Sequence, residues 1–238
     1  MSCKDNKFII PAAIISLGVI VLGVCLRNGL EDFVNKDRTV DVRGLAEREV
    51  EADKVTWPIT IKETGNDLKE LYSIINHKKG VIRKFLVSNG LSASDFSTNA
   101  PKVEDFVSQG SYQQSVIYRY TITQNMTVVS SNVKLVRSLI DRQGELLDQG
   151  VAIIAGEEWQ GNGVTYEYTK FKKLKPKMVK EAIENAQQTA AQFTENYGSS
   201  LGKIITADQG QFEIVDRDGN SPYVKKVRVV THVTYELK

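Results

Sequence analysis

The residue pattern predicts an α+β fold: a two-layer sandwich of antiparallel sheet and helices, built from two pseudo-repeated strand-helix-strand-strand units and preceded by one N-terminal transmembrane helix. Three observations carry this expectation. Phe8 to Leu26 run for nineteen residues without a charged side chain. Downstream, segments that alternate apolar and polar residues are interleaved with segments whose apolar residues recur every three or four positions, the signatures of half-buried strands and one-sided helices. The order strand, helix, strand, strand occurs twice, over Val55–Val129 and Val164–Leu237, in nearly equal lengths of 75 and 74 residues.

The first element is "FIIPAAIISLGVIVLGVCL", with Ser16 its one strongly polar side chain. As a helix it would be about 28 Å long, close to the hydrocarbon thickness of a bilayer. Pro11 is tolerable near the start of such a helix. Lys4 and Lys7 precede the run, and cationic flanks stay in the cytoplasm. The expected order is a cytoplasmic tail over 1–7, a signal anchor over 8–27, a linker over 28–38 and an extracytoplasmic domain over 39–238. A cleaved signal peptide is the competing reading, but its apolar region is usually about 7–15 residues and ends in small residues of the A-x-A type. A lipoprotein would place Cys25 at the processing site, yet Val24 stands where a small residue is expected.

With 238 residues, 41% of them hydrophobic and 25% charged, the chain can bury a real core. Its two cysteines, Cys3 and Cys25, both lie in the N-terminal piece, so the downstream part has no internal disulfide and depends on packing. The net charge of +2 is matched by Lys4, Lys7, Arg27 and Asp5 alone, which leaves the rest formally neutral. A neutral domain lacks the basic surface that non-specific nucleic-acid binding uses, so no nucleic-acid partner is expected.

"TVDVRGLAEREVEADKVTWPITIKE" reads as two extended runs separated by a charged turn near Glu51–Asp53, and the second puts Val55, Trp57, Ile59 and Ile61 on one face. Leu68, Leu71, Tyr72, Ile75, Ile82, Phe85 and Leu86 then follow at helical spacing, with Asp67 and Glu70 placed as a capping box and Gly90 as a stop. Gly80 inside this helix costs about 1 kcal/mol against Ala or marks a kink. Extended runs follow around Ser97–Val107 and from Val116 to Val129, joined by the turn-like "SQGSYQQS". A second helix is expected from Ser131 to Gly150, carrying Val133, Val136, Leu139, Ile140, Leu146 and Leu147 on one side.

"GVTYEYTKF" alternates Val164, Tyr166 and Tyr168. A third helix is predicted to open at Pro176 and stop at Gly198, with Val179, Ala182, Ile183, Ala186, Ala190, Phe193 and Tyr197 as its buried stripe. Strands over Lys203–Val215 and Val224–Leu237 close the chain; the last alternates Val227, Val229, Thr231, Val233, Tyr235 and Leu237. Strands with a polar second face, joined by hairpins and interleaved with helices bearing one apolar stripe, are the ingredients of a two-layer sandwich.

Little in this pattern carries chemistry. "GSSLGK", Gly198 to Lys203, has three residues between its glycines where a phosphate loop needs four, and Ile204 follows where Ser or Thr is required. "DRDGN", Asp216 to Asn220, begins like a calcium loop, but its twelfth position is Val227 and not Glu, so Asp218–Gly219 is read as a hairpin turn. His77 and His232 have no cysteines beside them to complete a zinc site, and no "GxSxG" turn is present. Glu157, Glu158 and Trp159 resemble a carboxylate beside an aromatic platform, but neighbours on a strand point to opposite faces. No catalytic, cofactor-binding or metal-ligating residue is assigned, and no cofactor is expected. The basic run "KFKKLKPKMVK" is the local feature that remains. Lys170, Lys172, Lys173, Lys175, Lys177 and Lys180 form either a solvated approach to the helix or a surface for an anionic envelope partner such as phospholipid headgroups or cell-wall polymer.

Three stretches, "VRGLAEREVEADKVTWPITI", "YRYTITQNMTVVSSNVKLVRSLIDRQGELLDQGV" and "AIENAQQTAAQFTENYGSSLGKI", resemble in sequence and order the SIMPL domain family of bacterial envelope proteins, from Thr39 to the C-terminus. The resemblance implies an α+β, periplasmic or surface-facing protein that self-associates in some members, with a link to envelope and oxidative stress. It supplies no catalytic motif to carry over. Many relatives have a cleaved signal, whereas this chain reads as anchored in the inner membrane. The function expected is therefore non-catalytic: a membrane-anchored envelope protein acting through self-assembly or partner binding, the alternative being an envelope hydrolase with carboxylate chemistry.

Overall fold

The computed structural model describes residues 6–35, 38–108, 117–154 and 163–238, with side chains of the first helix described over 13–30. In chain order the elements are α1 (Asn6–Asn35), β1 (Thr39–Glu51), β2 (Lys54–Gly65), α2 (Leu68–Ser88), β3 (Phe96–Thr98), β4 (Lys102–Asp105) and β5 (Tyr120–Ser130). They continue with α3 (Val133–Asp141), α4 (Gly144–Asp148), β6 (Thr165–Glu167), α5 (Phe171–Asn196), β7 (Leu201–Asp216) and β8 (Val224–Leu237). The fold is α+β with two antiparallel sheets rather than one, and α1 stands before them as an apolar helix. Within α1, Ala13–Leu30 has mean hydropathy 2.0 and no residue buried against protein, so its length and composition suffice to cross a membrane.

The chain divides into two compact units. One comprises 49–172 and 214–226 and contains the five-stranded sheet. Its centre is the β2–β5 ladder, in register from Val55 opposite Ser130 to Gly65 opposite Tyr120. The period-two alternation of β2 buries Val55, Trp57, Ile59 and Ile61, and β5 adds Ile122, Met126 and Val128. Over this face lie Leu71, Ile75, Ile82, Phe85 and Leu86 of α2 with Val136 and Leu139 of α3, forming one apolar cluster. Asp67 caps α2 by accepting from the Lys69 and Glu70 amides at 2.8 and 3.1 Å, and Gly90 ends the segment with φ +96°. Gly80 leaves α2 continuous and has no atom within 4 Å of the Cβ it lacks.

Several boundaries differ from the expectation for local reasons. The run expected at Ser97–Val107 is two short strands, β3 and β4, interrupted before Lys102 where Pro101 has no amide to give the ladder. The helix expected over Ser131–Gly150 breaks into α3 and α4 at Arg142–Gln143, just ahead of Gly144. Strand β5 pairs with β2 on one side and with β3 and β4 on the other. Pro58 of β2 lies opposite Thr127, while the Thr60 carbonyl accepts from Ile154 on the strand's other side. The missing Pro58 amide shares that other side, where β6 covers only Lys54–Thr56. "SQGSYQQS" beyond Ser108 and the Glu157, Glu158 and Trp159 group lie outside the described residues.

The second unit comprises 1–48, 173–213 and 227–238 and holds the three-stranded sheet in the order β1–β8–β7. Val227, Val229, Thr231, Val233 and Tyr235 of β8 are buried, as the alternation predicts. Helix α5 begins at Phe171, so Pro176 lies inside it rather than opening it. The cost is one bond to the Lys172 carbonyl near the helix start. Its buried positions are Met178, Ala182, Ala186, Ala190 and Thr194, a strict every-fourth-residue line. Gly44 of β1 explains that line. A Cβ there would come within 1.8 Å of the Ala182 carbonyl oxygen and 2.8 Å of the Ala186 Cβ. Helix backbone therefore rests on strand backbone, which only small residues permit. Phe193 and Tyr197, expected in the stripe, are instead exposed.

The second expected repeat does not close on itself. Its first strand, β6, has three residues and pairs with β2, while β8 lies between β1 and β7. The early start of α5 cuts that strand short.

Trp57 is 3% exposed at the middle of the β2–β5 face, so Trp57→Ala is expected to lower unfolding free energy by roughly 3–5 kcal/mol in denaturant titration. Gly44→Ala, nominally a gain in strand propensity, should cost about 3 kcal/mol or more because the methyl group meets backbone. A thermal midpoint unchanged by that substitution would show that β1 and α5 are not in contact.

Candidate docking surfaces

The six lysines of the basic run do not form one face. Lys170 precedes α5, and its ammonium lies 3.9 Å from the Asp53 carboxylate. Along the helix, Lys173, Lys177 and Lys180 fall at i, i+4 and i+7 and share a stripe, whereas Lys172 and Lys175 are turned away from it. Lys180 pairs with Glu184 at 3.6 Å, and Lys175 stands 5.9 Å from the Phe212 ring centre. Lys175 and Lys180 flank a trough of about 510 Å³ whose floor is Pro176, Val179 and Ile183.

The first turn of α5 contains no acidic residue, and a helix start rich in lysine would ordinarily attract an anion. Asp53 already supplies that charge. Its carboxylate accepts from the Thr169 amide at 2.7 Å and the Lys170 amide at 3.1 Å. Burial pushes the Asp53 carboxyl up, but the Thr169 and Lys170 donors and the Lys170 charge outweigh it and hold the group below the ordinary carboxylate range.

The strand edge left open is β7. It pairs with β8 on one side only among the described residues, runs for sixteen residues, and leaves Ile204, Ile205, Ile214 and Val215 exposed on both of its faces. A long edge with uncovered backbone groups is a template for another strand.

A second surface surrounds the start of β1. Arg38, Val40, Phe193, Tyr197 and Leu237 line a groove of about 340 Å³ in which Arg38 donates to the Ser199 hydroxyl at 3.2 Å. Sequence reasoning missed it because Phe193 and Tyr197 fit a 3.6-residue stripe. The signal available was the exact four-residue spacing of the alanines, which selects a different line.

Chemistry-bearing groups are dispersed. Among the described residues, no group of three or more His, Cys, Asp or Glu side chains is placed to hold a metal ion. His77 is exposed on α2 and His232 on β8. Gly198, with φ +65°, ends α5, and "LGK" enters β7. Asp218 accepts from the Asn220 amide at 2.9 Å in the turn between β7 and β8. The Arg119, Lys102, Arg142 and Arg217 side chains hold the carboxyls of Asp105, Glu104, Glu145 and Asp218 below their usual range.

Asp53→Ala is expected to cost about 2 kcal/mol at neutral pH, the scale of hydrogen bonds to a charged acceptor. Since the folded-state value is depressed, this contribution is fully present above the unfolded value near 3.8 and is lost as pH falls through the lower folded value. The stability difference between wild type and variant should thus stay constant from pH 7 to about 4.5 and narrow in more acid solution. A gap that widens on acidification would contradict the assignment.

The family profile SIMPL, described as "Protein of unknown function (DUF541)", matches residues 40–233. A search of the curated proteins returns no match. The matched region spans β1 to β8, nearly everything after α1, and the chain belongs to the SIMPL family.

Proposed function

We propose that this protein is a non-catalytic, membrane-anchored assembly module of the bacterial envelope, held in the inner membrane by α1 with its folded part on the periplasmic side, and that it works by pairing with copies of itself. The observation that carries the reading is the β7 edge, sixteen residues long with apolar side chains exposed on both faces. A second copy satisfies such an edge because its own β7 carries the same unpaired backbone groups and the same exposed isoleucines.

The anchor reading is supported by the uncharged run Phe8–Leu26 and the lysines before it. Tethering to one membrane raises effective concentration, so a weak edge contact can persist. Support for a duplicated origin comes from the pairing orders β3–β5–β2 and β7–β8–β1, in which β1 takes the place that sequence order would assign to β6. The envelope and oxidative-stress role implied by the family resemblance would act through the assembly, and the α5 lysines remain available to an anionic envelope partner.

Full-length protein is expected to crosslink to itself in membranes at low expression and to exceed monomer mass by light scattering in mild detergent. Ile205→Lys, which puts a charge on the exposed edge strand, should weaken self-association at least tenfold, while Ile205→Val should retain it. Monomer mass across a wide concentration range, with no self-crosslinks, would reject assembly; a mature chain beginning near Cys25 or Asn28 would reject the anchor.

A further inference from the structure

We propose that the groove of Arg38, Phe193 and Tyr197 is a bilayer-docking site, which seats the folded domain on the phospholipid headgroups of the membrane that α1 enters. The inference rests on the anchor reading above and adds a contact that tethering alone does not require.

The first argument is reach. The uncharged run ends at Leu26 and α1 continues to Asn35, while Arg38 already lines the groove. Nine helical residues and three at full extension place Arg38 within about 24 Å of the end of that run. The headgroup layer itself occupies roughly 6 Å of that distance. The groove is therefore always beside the membrane surface, whatever path the connecting residues take.

The second argument is chemistry. Tyr197 is 80% exposed and Phe193 50% exposed, in a domain whose other helix-borne apolar residues mostly find a sheet to cover them. They stand one turn apart on the final turns of α5, beside Val40 and Leu237. Tyrosine and phenylalanine with an apolar body and, for tyrosine, a polar tip favour the boundary between acyl chains and headgroups. Arg38 at the rim can donate to a phosphate oxygen. Glu195 is exposed nearby, so the patch carries little net charge and its affinity comes from the rings. Docking should accordingly occur on zwitterionic phosphatidylcholine and change little with salt.

The test uses the full chain, one copy per phosphatidylcholine nanodisc, which removes self-pairing. A Cys3→Ser protein reports the anchor through protection of Cys25 from a membrane-impermeant maleimide. A Cys3→Ser/Cys25→Ser protein with Asn196→Cys carries a fluorophore at the end of α5, and quenching by headgroup-nitroxide lipid is compared with the same fluorophore at Asp208→Cys, midway along β7 of the same unit. The expected result is quenching at 196 at least threefold above that at 208, unchanged between 50 and 500 mM salt. The excess should be abolished by Phe193→Ser/Tyr197→Ser and retained by Tyr197→Trp. Equal quenching at both positions with Cys25 protected would overturn the docking and leave the anchor standing. Labelled Cys25 would overturn the anchor reading and the docking with it.

Discussion

The backbone contact between Gly44 and helix α5 is the constraint on which the second unit depends. A strand position without a side chain lets the Ala182 carbonyl sit where a Cβ would be, and this close approach restricts the facing helix positions to Ala182, Ala186 and Ala190. A line of alanines advances by four residues per step, not 3.6, so the buried track drifts around the helix. At its C-terminal end Thr194 is buried while Phe193 and Tyr197 are turned to solvent. The same narrow seam, lined by Val42, Val233 and Tyr235, leaves β7 uncovered along most of its length. One glycine thus accounts for both exposed apolar features.

The first unit is organised differently. There the β2–β5 ladder presents large side chains, Trp57, Ile59, Ile61, Ile122 and Met126, and α2 answers with Leu, Ile and Phe. Packing by volume in place of backbone contact makes this the more ordinary hydrophobic core. Among the described residues, β5 is paired on both sides, and Pro58 marks the part of β2 that is least suited to accept another strand.

What the sequence disclosed and what it withheld follow the same physics. Period-two alternation placed Trp57 and the buried face of β8 correctly because a strand's faces are fixed by parity alone. Capping at Asp67 and the stop at Gly90 were equally legible, since each is satisfied by atoms within a few residues. The break in the Ser97–Val107 run was legible at Pro101, which has no amide to give a ladder. The other failures are tertiary. The start of α5, expected at Pro176, and the pairing of β6 with β2 depend less on local preference than on which neighbour is available. The dispersal of the lysines follows from the early start of α5, which winds them around a helix. Asp53, 116 residues before Thr169, could not be identified from the sequence as the acceptor for the Thr169 and Lys170 amides that lead into that helix.

The central claim is that the outer edge of β7 is a pairing surface in the working assembly. Hydrogen–deuterium exchange on the full chain in bilayers, resolved to β7 and compared between nanodiscs holding one copy and proteoliposomes holding many, reads it directly. The account predicts fast exchange of the outward-facing amides between Lys203 and Glu213 in the single-copy discs and strong protection in the crowded bilayer, with β5 equally protected in both. Identical exchange of β7 at both densities would contradict it.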